Sequence, residues 1–193
     1  MSRILPSVEI WNRADLPYLA MWRKLFRVVE VGVDRGEFAS VFLSRWIGHE
    51  YWGVDDYAPY PERPYDRQAD FLFAVDRLRP YSDRVRLVRM GSVEAAGIFA
   101  DGSVDLVYID AAHDYESVAA DLAAWWPKVS DRGILAGHDF DATHPGVVEA
   151  VTQFGAMVER DVYLTAVEGY NREDCPSYYL YKSGMPGPDW RRC

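Results

Sequence analysis

The sequence predicts an α/β fold, in which a mostly parallel β-sheet carries helices on both faces and ends in an antiparallel strand pair. Short, uniformly apolar runs recur along the chain, and segments with helical spacing of apolar residues separate them. Two further apolar runs near the end have no helix between them. Uninterrupted apolar runs are typical of strands buried on both faces. Their alternation with helices favours a parallel sheet.

The strands are predicted from the apolar runs themselves. Those of the parallel part cover residues 27–32, 51–55, 85–89, 104–110 and 133–137. The terminal antiparallel pair is predicted over 161–167 and 177–182, with a polar loop over 168–176 between its two strands.

Helices are predicted where apolar residues recur at intervals of three and four, as Val118, Leu122 and Trp125 do. Pro145 suits the first turn of the last helix, where a missing amide hydrogen costs nothing. The predicted helices cover 15–25, 37–47, 67–79, 115–127 and 146–158. The connection 55–66, DDYAPYPERPYD, is long and aromatic, and we interpret it as a lid or pocket wall.

The length of 193 residues corresponds to a single domain. We divide it into an N-terminal helical extension (1–26), a core (27–182) and a tail (183–193). The formal net charge of −9 argues against nucleic acid and anionic membranes as partners, because both need a basic surface. The two cysteines, Cys175 and Cys193, exclude a disulfide scaffold. We expect a cytoplasmic location, since the N-terminus does not resemble a secretory signal.

Polar or small residues follow every strand of the parallel part, at the sheet edge where open α/β sheets bind their ligands. They are, in chain order, Glu30, Gly32 and Gly36; Asp55 and Asp56; Met90, Gly91 and Ser92; Asp110 and His113; and His138 and Asp139. One such residue would mean little, but their recurrence at five strand ends predicts a binding site along this edge.

The turn after the first strand contains two glycines, in the sequence VEVGVDRGEF. Gly32 ends the strand and Gly36 opens a helix, so a ligand could approach the backbone and the helix N-terminus. Asp34 stands where the dinucleotide fingerprint has its second glycine, which disfavours NAD or FAD. A plain strand–helix turn explains the pattern equally well.

Asp55 ends the second strand roughly 20 residues beyond this turn, where a carboxylate can accept both hydroxyls of a ribose. This spacing predicts a nucleoside ligand. The alternative is an aspartate that caps a turn.

Two neighbouring segments, VYIDAAHDYE and GILAGHDF, supply the candidate chemistry. If their strands are adjacent, Asp110, His138 and Asp139 converge. Carboxylates suit a hard cation, and His113 could remove a hydroxyl proton. The alternatives are a hydrogen bond at a helix N-terminus for His113 and a loop salt bridge between His138 and Asp139.

These segments together resemble class I S-adenosylmethionine (SAM)-dependent methyltransferases, in particular small-molecule O-methyltransferases related to the cephalosporin and macrolide-sugar enzymes. The resemblance covers about residues 27–182 and is most specific over 104–140, VDLVYIDAAHDYESVAADLAAWWPKVSDRGILAGHDF. The glycine turn is similar to the G-x-x-x-G form of metal-dependent O-methyltransferases. The resemblance implies a Rossmann-like, seven-stranded sheet whose last strand is antiparallel.

The resemblance also implies a role for each matching residue. Those implied to bind SAM are Glu30, Gly32 and Gly36 at its methionine part, Asp55 at the ribose, Gly91 and Ser92 beside the adenine, and Asp110 beside the sulfonium. His113 matches a general base at the D-x-x-H spacing, and Asp110 lies at the centre of the catalytic site.

By the same resemblance, Asp110, His138 and Asp139 occupy the positions of divalent-metal ligands. Mg²⁺-binding relatives usually have a carboxylate in place of His138, and imidazole suits Mn²⁺, Fe²⁺ or Zn²⁺ better than Mg²⁺. Either the metal differs, or His138 is not a ligand, or no metal binds.

We therefore expect SAM-dependent O-methylation of a small hydroxylated molecule, with S-adenosylhomocysteine as the second product. Two other classes of function stay open. One is a non-catalytic module that binds SAM or S-adenosylhomocysteine, and the other is an NAD-dependent oxidoreductase. A homo-oligomer could complete the acceptor pocket, because the chain has room for only a short lid.

Overall fold

Eight strands form one mixed sheet in the computed structural model, which describes residues 2–7, 10–60, 63–165 and 175–183. The strands are β1 (Ile4–Pro6), β2 (Arg27–Val31), β3 (Glu50–Val54), β4 (Val85–Val88), β5 (Val104–Ile109), β6 (Val129–Gly137), β7 (Val162–Leu164) and β8 (Tyr178–Tyr181). Their order across the sheet is β1-β7-β8-β6-β5-β2-β3-β4. Strand β8 is antiparallel to both β6 and β7, and the other pairs are parallel. The predicted fold class and terminal antiparallel pair are confirmed.

The sheet has one strand more than the expected seven, because the N-terminal extension contributes β1. Ile4 pairs with Val162 in the parallel β1–β7 ladder, and the Ser7 amide donates to the carbonyl oxygen of Leu164 at 2.6 Å. This edge strand has three residues and includes a proline. Such a short segment carries too little apolar pattern to be recognised from sequence. Residues 61–62 of the predicted lid, 166–167 of the predicted strand 161–167, 168–174 of the predicted loop and 184–193 of the tail lie outside the described residues.

All five predicted helices are present, with ends that differ by up to two residues. The helices are α1 (Leu16–Arg23), α2 (Glu37–Arg45), α3 (Gln68–Leu78), α4 (Ser92–Ala96), α5 (Tyr115–Trp125) and α6 (Pro145–Met157). Pro145 lies in the first turn of α6 as predicted. Helix α4 was not predicted because its five residues are too few for a periodic signal. Within the described part of the chain, no helix is long and apolar enough to cross a membrane.

The sheet separates two apolar layers. Helices α1, α2 and α3 pack on one face, and α4, α5 and α6 pack on the other. Along β2, Val28 belongs to the first layer, whereas Val29 and Val31 belong to the second, as the period of two in a strand requires. Burial of both faces explains why the central strands are uniformly apolar.

Backbone hydrogen bonds align the carboxyl ends of the central strands. The Gly32 amide donates to Val54, the Asp110 amide donates to Val31, and the His138 amide donates to Ile109, each within 3.0 Å. The connections that follow β2, β5 and β6 therefore leave the sheet side by side.

Candidate functional site

Four of the predicted residues meet at the ends of β5 and β6. The Asp139 carboxylate lies near three imidazoles: His113 Nε2 is 2.9 Å from Oδ2, and His138 Nδ1 and His144 Nδ1 are 3.0 Å and 3.8 Å from Oδ1. The potential ligand atoms of Asp110, His138 and Asp139 all lie within 4.8 Å of one another. The convergence expected from sequence is therefore confirmed, whereas the metal-binding and catalytic roles stay predictions.

The backbone of Asp139 adopts a left-handed conformation, with a φ of 61°. Few side chains adopt this conformation readily, although aspartate tolerates it better than most. The chain therefore turns at Asp139, two residues after β6 ends, and the contacts with His113 and His138 stabilise this turn.

Burial and hydrogen bonding act in opposite directions on the charges of this site. Burial raises the pKa of Asp139, but hydrogen bonds from His113 and His138 outweigh it and hold that pKa well below its usual range. Burial lowers the pKa of His138, whereas Asp139 and Asp110 raise it, and the net pKa is raised. Burial raises the pKa of Asp110. Asp139 is thus a permanent carboxylate that favours protonated imidazole beside it.

The sequence analysis missed Arg13, whose guanidinium also reaches this site. Its Nη1 atom lies 3.2 Å from Asp110 Oδ2, and its guanidinium carbon lies 5.9 Å from the centre of the Phe38 ring. Asn12 holds the short turn that carries it, since its Oδ1 accepts a hydrogen bond from the Ala14 amide at 2.8 Å. No local motif could reveal this contact, because 97 positions separate the two residues of the ion pair.

The glycine at the end of β2 is required by the neighbouring chain. Gly32 has a φ of +89°, and a Cβ atom there would lie 1.9 Å from the carbonyl oxygen of Asp110. The close approach expected of a ligand at this position is instead made by the β5–α5 connection. Gly36, with a φ of +73°, precedes the first turn of α2 as predicted.

Glu30 is buried, with 1% of its surface exposed, and its Oε2 accepts a hydrogen bond from the Tyr51 hydroxyl at 2.7 Å. Burial raises the pKa of Glu30 well above its usual value, although the Tyr51 hydrogen bond opposes this. The Glu30 side chain therefore lies in the protein interior, on the strand that leads into the glycine turn. Its contact with a cofactor stays a prediction.

Asp55 follows β3 and connects the glycine turn to the lid. Its carboxylate accepts hydrogen bonds from the Asp34 amide at 2.9 Å, the Tyr57 amide at 2.8 Å and the Arg67 guanidinium at 3.3 Å. Its side chain is 7% exposed. A carboxylate has about four lone-pair sites, so acceptor capacity remains for a ribose hydroxyl.

The predicted lid lies against the glycine turn. The Tyr57 hydroxyl donates to the Asp34 carbonyl at 3.0 Å, and Arg67 pairs with the Asp34 carboxylate at 3.0 Å. The Arg67 guanidinium also lies 5.3 Å from the Tyr57 ring centre and 5.2 Å from that of Tyr60. The interpretation of 55–66 as a lid or pocket wall stays a prediction.

Gly91 and Ser92 begin α4, but only one of them borders open space. A Cβ atom at Gly91 would have no neighbouring atom within 4 Å. The Ser92 hydroxyl accepts a hydrogen bond from Trp125 Nε1 at 2.9 Å, so that side chain supports α5. The contact of Gly91 and Ser92 with the adenine stays a prediction.

The metal that the resemblance implies does not fit the residues as arranged. Asp110 already pairs with the Arg13 guanidinium, and both oxygens of Asp139 accept hydrogen bonds from imidazoles. The remaining donor, His138, is nitrogen, whereas Mg²⁺ prefers oxygen ligands. A fixed guanidinium beside a carboxylate also opposes a divalent cation electrostatically.

A family model described as a methyltransferase domain matches residues 29–140, which include β2, the glycine turn and the ends of β5 and β6. The uncharacterized protein y4gI of Sinorhizobium fredii is 33% identical over 124 residues, which cover 62% of this chain and 14% of y4gI. The chain therefore spans a small part of that protein's length.

Solved structures share the fold at low sequence identity. An O-methyltransferase from Bacillus cereus in complex with SAH is 14% identical, with a TM-score of 0.63 over 88% of this chain and 80% of that one. Spermidine synthase from Thermotoga maritima is 13% identical, with a TM-score of 0.61 over 90% of this chain and 59% of that one. These likenesses show the fold alone, and the family match assigns the chain. The chain belongs to this family of methyltransferase domains and is a SAM-dependent methyltransferase domain.

Proposed function

We propose that the protein transfers the methyl group of SAM to a hydroxyl oxygen of a small molecule, with His113 as the general base. The observation that carries this proposal is the contact of His113 Nε2 with Asp139 Oδ2 at 2.9 Å, beside Asp110. A base whose second nitrogen is held by a carboxylate is the usual arrangement for accepting a proton from a hydroxyl. His113 is also 45% exposed, so an acceptor can reach it.

Asp139 and His113 act together in the proposed step. Asp139 accepts a hydrogen bond from His113 Nε2, which orients the imidazole that would take the proton from the acceptor hydroxyl. The resulting imidazolium is stabilised by Asp139, whose pKa stays far below neutrality. When bound, SAM supplies a methyl group on a positively charged sulfur, which needs no further activation. The protein's main task is then to align the acceptor oxygen with that methyl group.

Arg13 would stabilise the acceptor oxygen as it becomes negative. Its guanidinium lies 3.2 Å from Asp110 and is 33% exposed, so one edge can face an acceptor. A preorganised positive charge of this kind stabilises a developing oxyanion in the way that a metal does in other enzymes. We therefore propose a reaction that requires no Mg²⁺, in place of metal assistance through Asp110, His138 and Asp139.

The cofactor would lie along the carboxyl ends of β2, β3 and β5. Gly32 and Gly36 would contact its amino-acid part through their backbone, Asp55 would accept one ribose hydroxyl, and Gly91 and Ser92 would lie beside the adenine. Asp110 would lie beside the sulfonium and offset its charge. We propose that the partner is a small hydroxylated molecule, which acts as the methyl acceptor, and not a nucleic acid or a membrane.

The test is an incubation with SAM that carries an isotope-labelled methyl group, together with phenol, catechol and sugar acceptors and their amine analogues. Label recovered on hydroxylated acceptors, but not on the matched amines, supports O-methylation. Calorimetric binding of SAM without transfer to any acceptor would favour the non-catalytic module. Binding of NADH in place of SAM would favour the oxidoreductase.

A further inference from the structure

A second group of potential ligands lies beside the proposed active site and plays no part in the proposed mechanism. It consists of Asp141, His144 and Cys175, which are all partly buried. Their ligand atoms lie within 4.8 Å of one another. Two come from the β6–α6 connection and the third from the segment before β8, 34 positions after Asp141. Neither the sequence analysis nor the family resemblance assigns these residues a role.

His144 and Cys175 contact different oxygens of the Asp141 carboxylate, at distances near those between the ligand atoms of a tetrahedral metal site. Asp141 Oδ1 lies 3.2 Å from His144 Nδ1, and the Cys175 thiol donates to Asp141 Oδ2 at 2.9 Å. Around Zn²⁺, with bonds of about 2.0 to 2.3 Å, tetrahedral ligand atoms lie roughly 3.3 to 3.7 Å apart. A small outward movement would therefore admit an ion between them.

The backbone holds both segments in place without an ion. The Phe140 amide donates to the carbonyl of Pro176 at 3.0 Å, which fixes the residue after Cys175 beside the β6–α6 connection. Thr143 donates to Asp141 Oδ1 through its amide at 2.8 Å and through its hydroxyl at 2.6 Å. Such supporting hydrogen bonds orient ligands in metal sites and strengthen binding.

We propose that Asp141, His144 and Cys175 bind a single thiophilic divalent ion of the Zn²⁺ type, with water in the fourth position. A thiolate, an imidazole and a carboxylate together suit Zn²⁺ and do not suit Mg²⁺. Binding releases the thiol proton to solvent, and the proton on His144 Nδ1 moves to Nε2, so that both groups coordinate in their deprotonated forms.

The role that follows from this position is structural. The ion would join the β6–α6 connection, which begins just after Asp139, to the segment that leads into the antiparallel strand β8. An ion that binds the folded chain alone raises its stability in proportion to the logarithm of its concentration. The proposal does not require methyl transfer, although the ion would lie close to the proposed base: His144 Nδ1 is 3.8 Å from Asp139 Oδ1, and the His144 ring centre is 4.6 Å from that of His113.

Cobalt spectroscopy of the metal-free, reduced full chain is the sharpest test, because a thiolate–cobalt bond gives a charge-transfer absorption in the near ultraviolet. We expect one equivalent of Co²⁺ to produce this band and one equivalent of Zn²⁺ to remove it. Cys175→Ser should abolish the band, and His144→Ala should weaken Co²⁺ binding. Cys193→Ser is the matched control, since it removes the chain's other thiol, and should keep the band.

Competition against a chromophoric chelator measures the Zn²⁺ affinity directly. Loss of an outer partner of a metal ligand typically costs about 10- to 100-fold in affinity, so loss of the Cys175 ligand should cost at least about 100-fold. Zn²⁺ should raise the unfolding temperature of the wild type but not of Cys175→Ser. Circular dichroism of each variant establishes that it is folded.

Three results would overturn the proposal: no band in the wild type, a band that survives Cys175→Ser, or a band that is lost in Cys193→Ser. Asp110→Asn should leave the band intact, because the Asp110, His138 and Asp139 group contains no thiol, and loss of the band there would likewise overturn the proposal. Because none of these measurements uses SAM or an acceptor, failure of this proposal and failure of the proposed methyl transfer can be distinguished.

Discussion

His113 and Asp139 follow different strands, yet His113 Nε2 lies 2.9 Å from Asp139 Oδ2. Parallel pairing of β5 and β6 makes this possible, because it places the two strand ends at the same edge. The histidine is exposed, and the carboxylate is nearly buried and stays ionised at neutral pH. The buried carboxylate holds the exposed imidazole in place, so the imidazole can accept and release protons without a change in its orientation.

Removal of this base should reduce turnover and spare cofactor binding. We expect His113→Ala to lower the rate of methyl transfer by about 10²- to 10⁴-fold, the usual contribution of a general base. Calorimetry should give an unchanged SAM dissociation constant. His49→Ala is the matched control, because His49 is exposed and precedes β3 at the opposite edge of the sheet. Equal rates in the two variants would refute the assignment.

Removal of the Asp55 carboxylate should weaken SAM binding. Hydrogen bonds to a charged group contribute about 1.5 to 3 kcal/mol, so Asp55→Ala should raise the dissociation constant by roughly 10- to 100-fold. Asp56→Ala is the control: Asp56 is exposed and caps a turn by accepting from the Ala58 amide. A thermal melt of each variant shows whether loss of the contact with Arg67 also destabilises the lid. Wild-type affinity in Asp55→Ala would exclude the ribose role.

Replacement of Arg13 should slow transfer, because the guanidinium is the cation proposed to face the acceptor oxygen. We expect Arg13→Ala to reduce turnover by about 10²-fold, comparable to the loss of one oxyanion donor. Exposed Arg86, which contacts the carbonyl of neighbouring Val85, provides the control variant Arg86→Ala. Addition of Mg²⁺ to the dialysed wild type should leave the rate unchanged. A rate that depends on Mg²⁺ would restore the metal-assisted mechanism.

The buried acid Glu30 should make stability depend on pH. Folding raises its pKa above the unfolded value of about 4.3, so its contribution to stability is complete below that pH and decreases as the pH rises towards the folded value. Glu30→Gln removes the ionisable carboxyl group, so the variant does not lose stability in this way as the pH rises. The variant should match the wild type near pH 4 and exceed it at pH 8.

The expected gain is about 1.4 kcal/mol for each unit by which folding raises the Glu30 pKa. Denaturant unfolding at several pH values measures it. Exposed Glu94 provides the comparison, because Glu94→Gln should show no such pH-dependent gain. A Glu30→Gln variant that is less stable at pH 8 than at pH 4, relative to wild type, would contradict the burial argument.

The central sheet could be predicted from sequence because burial on both faces produces runs such as that of β5. The meeting of Asp110, His138 and Asp139 could be predicted for a related reason, since parallel strands end at a common edge. By contrast, α4 and β1 could not be predicted, because each is too short to show the repeated spacing of apolar residues that marks a helix or a strand.

The contacts that sequence could not reveal join distant segments through side chains. Arg13 reaches Asp110 from the N-terminal extension, and Cys175 reaches Asp141 from the segment before β8. Gly32 was expected to make room for a ligand, but its missing Cβ makes room for the Asp110 carbonyl. Such packing depends on the relative placement of two strand ends, which a linear pattern does not contain.

The pairing of β1 with β7 also bears on how the protein can be engineered. Arg13, which reaches the proposed active site, follows this edge strand within a few positions of the sequence. Trimming of the N-terminus, or a bulky fusion placed there, would therefore impair chemistry and edge pairing at once. Affinity tags and reporter domains are better placed elsewhere. Variants of this segment would change both the substrate preference and the yield of folded protein.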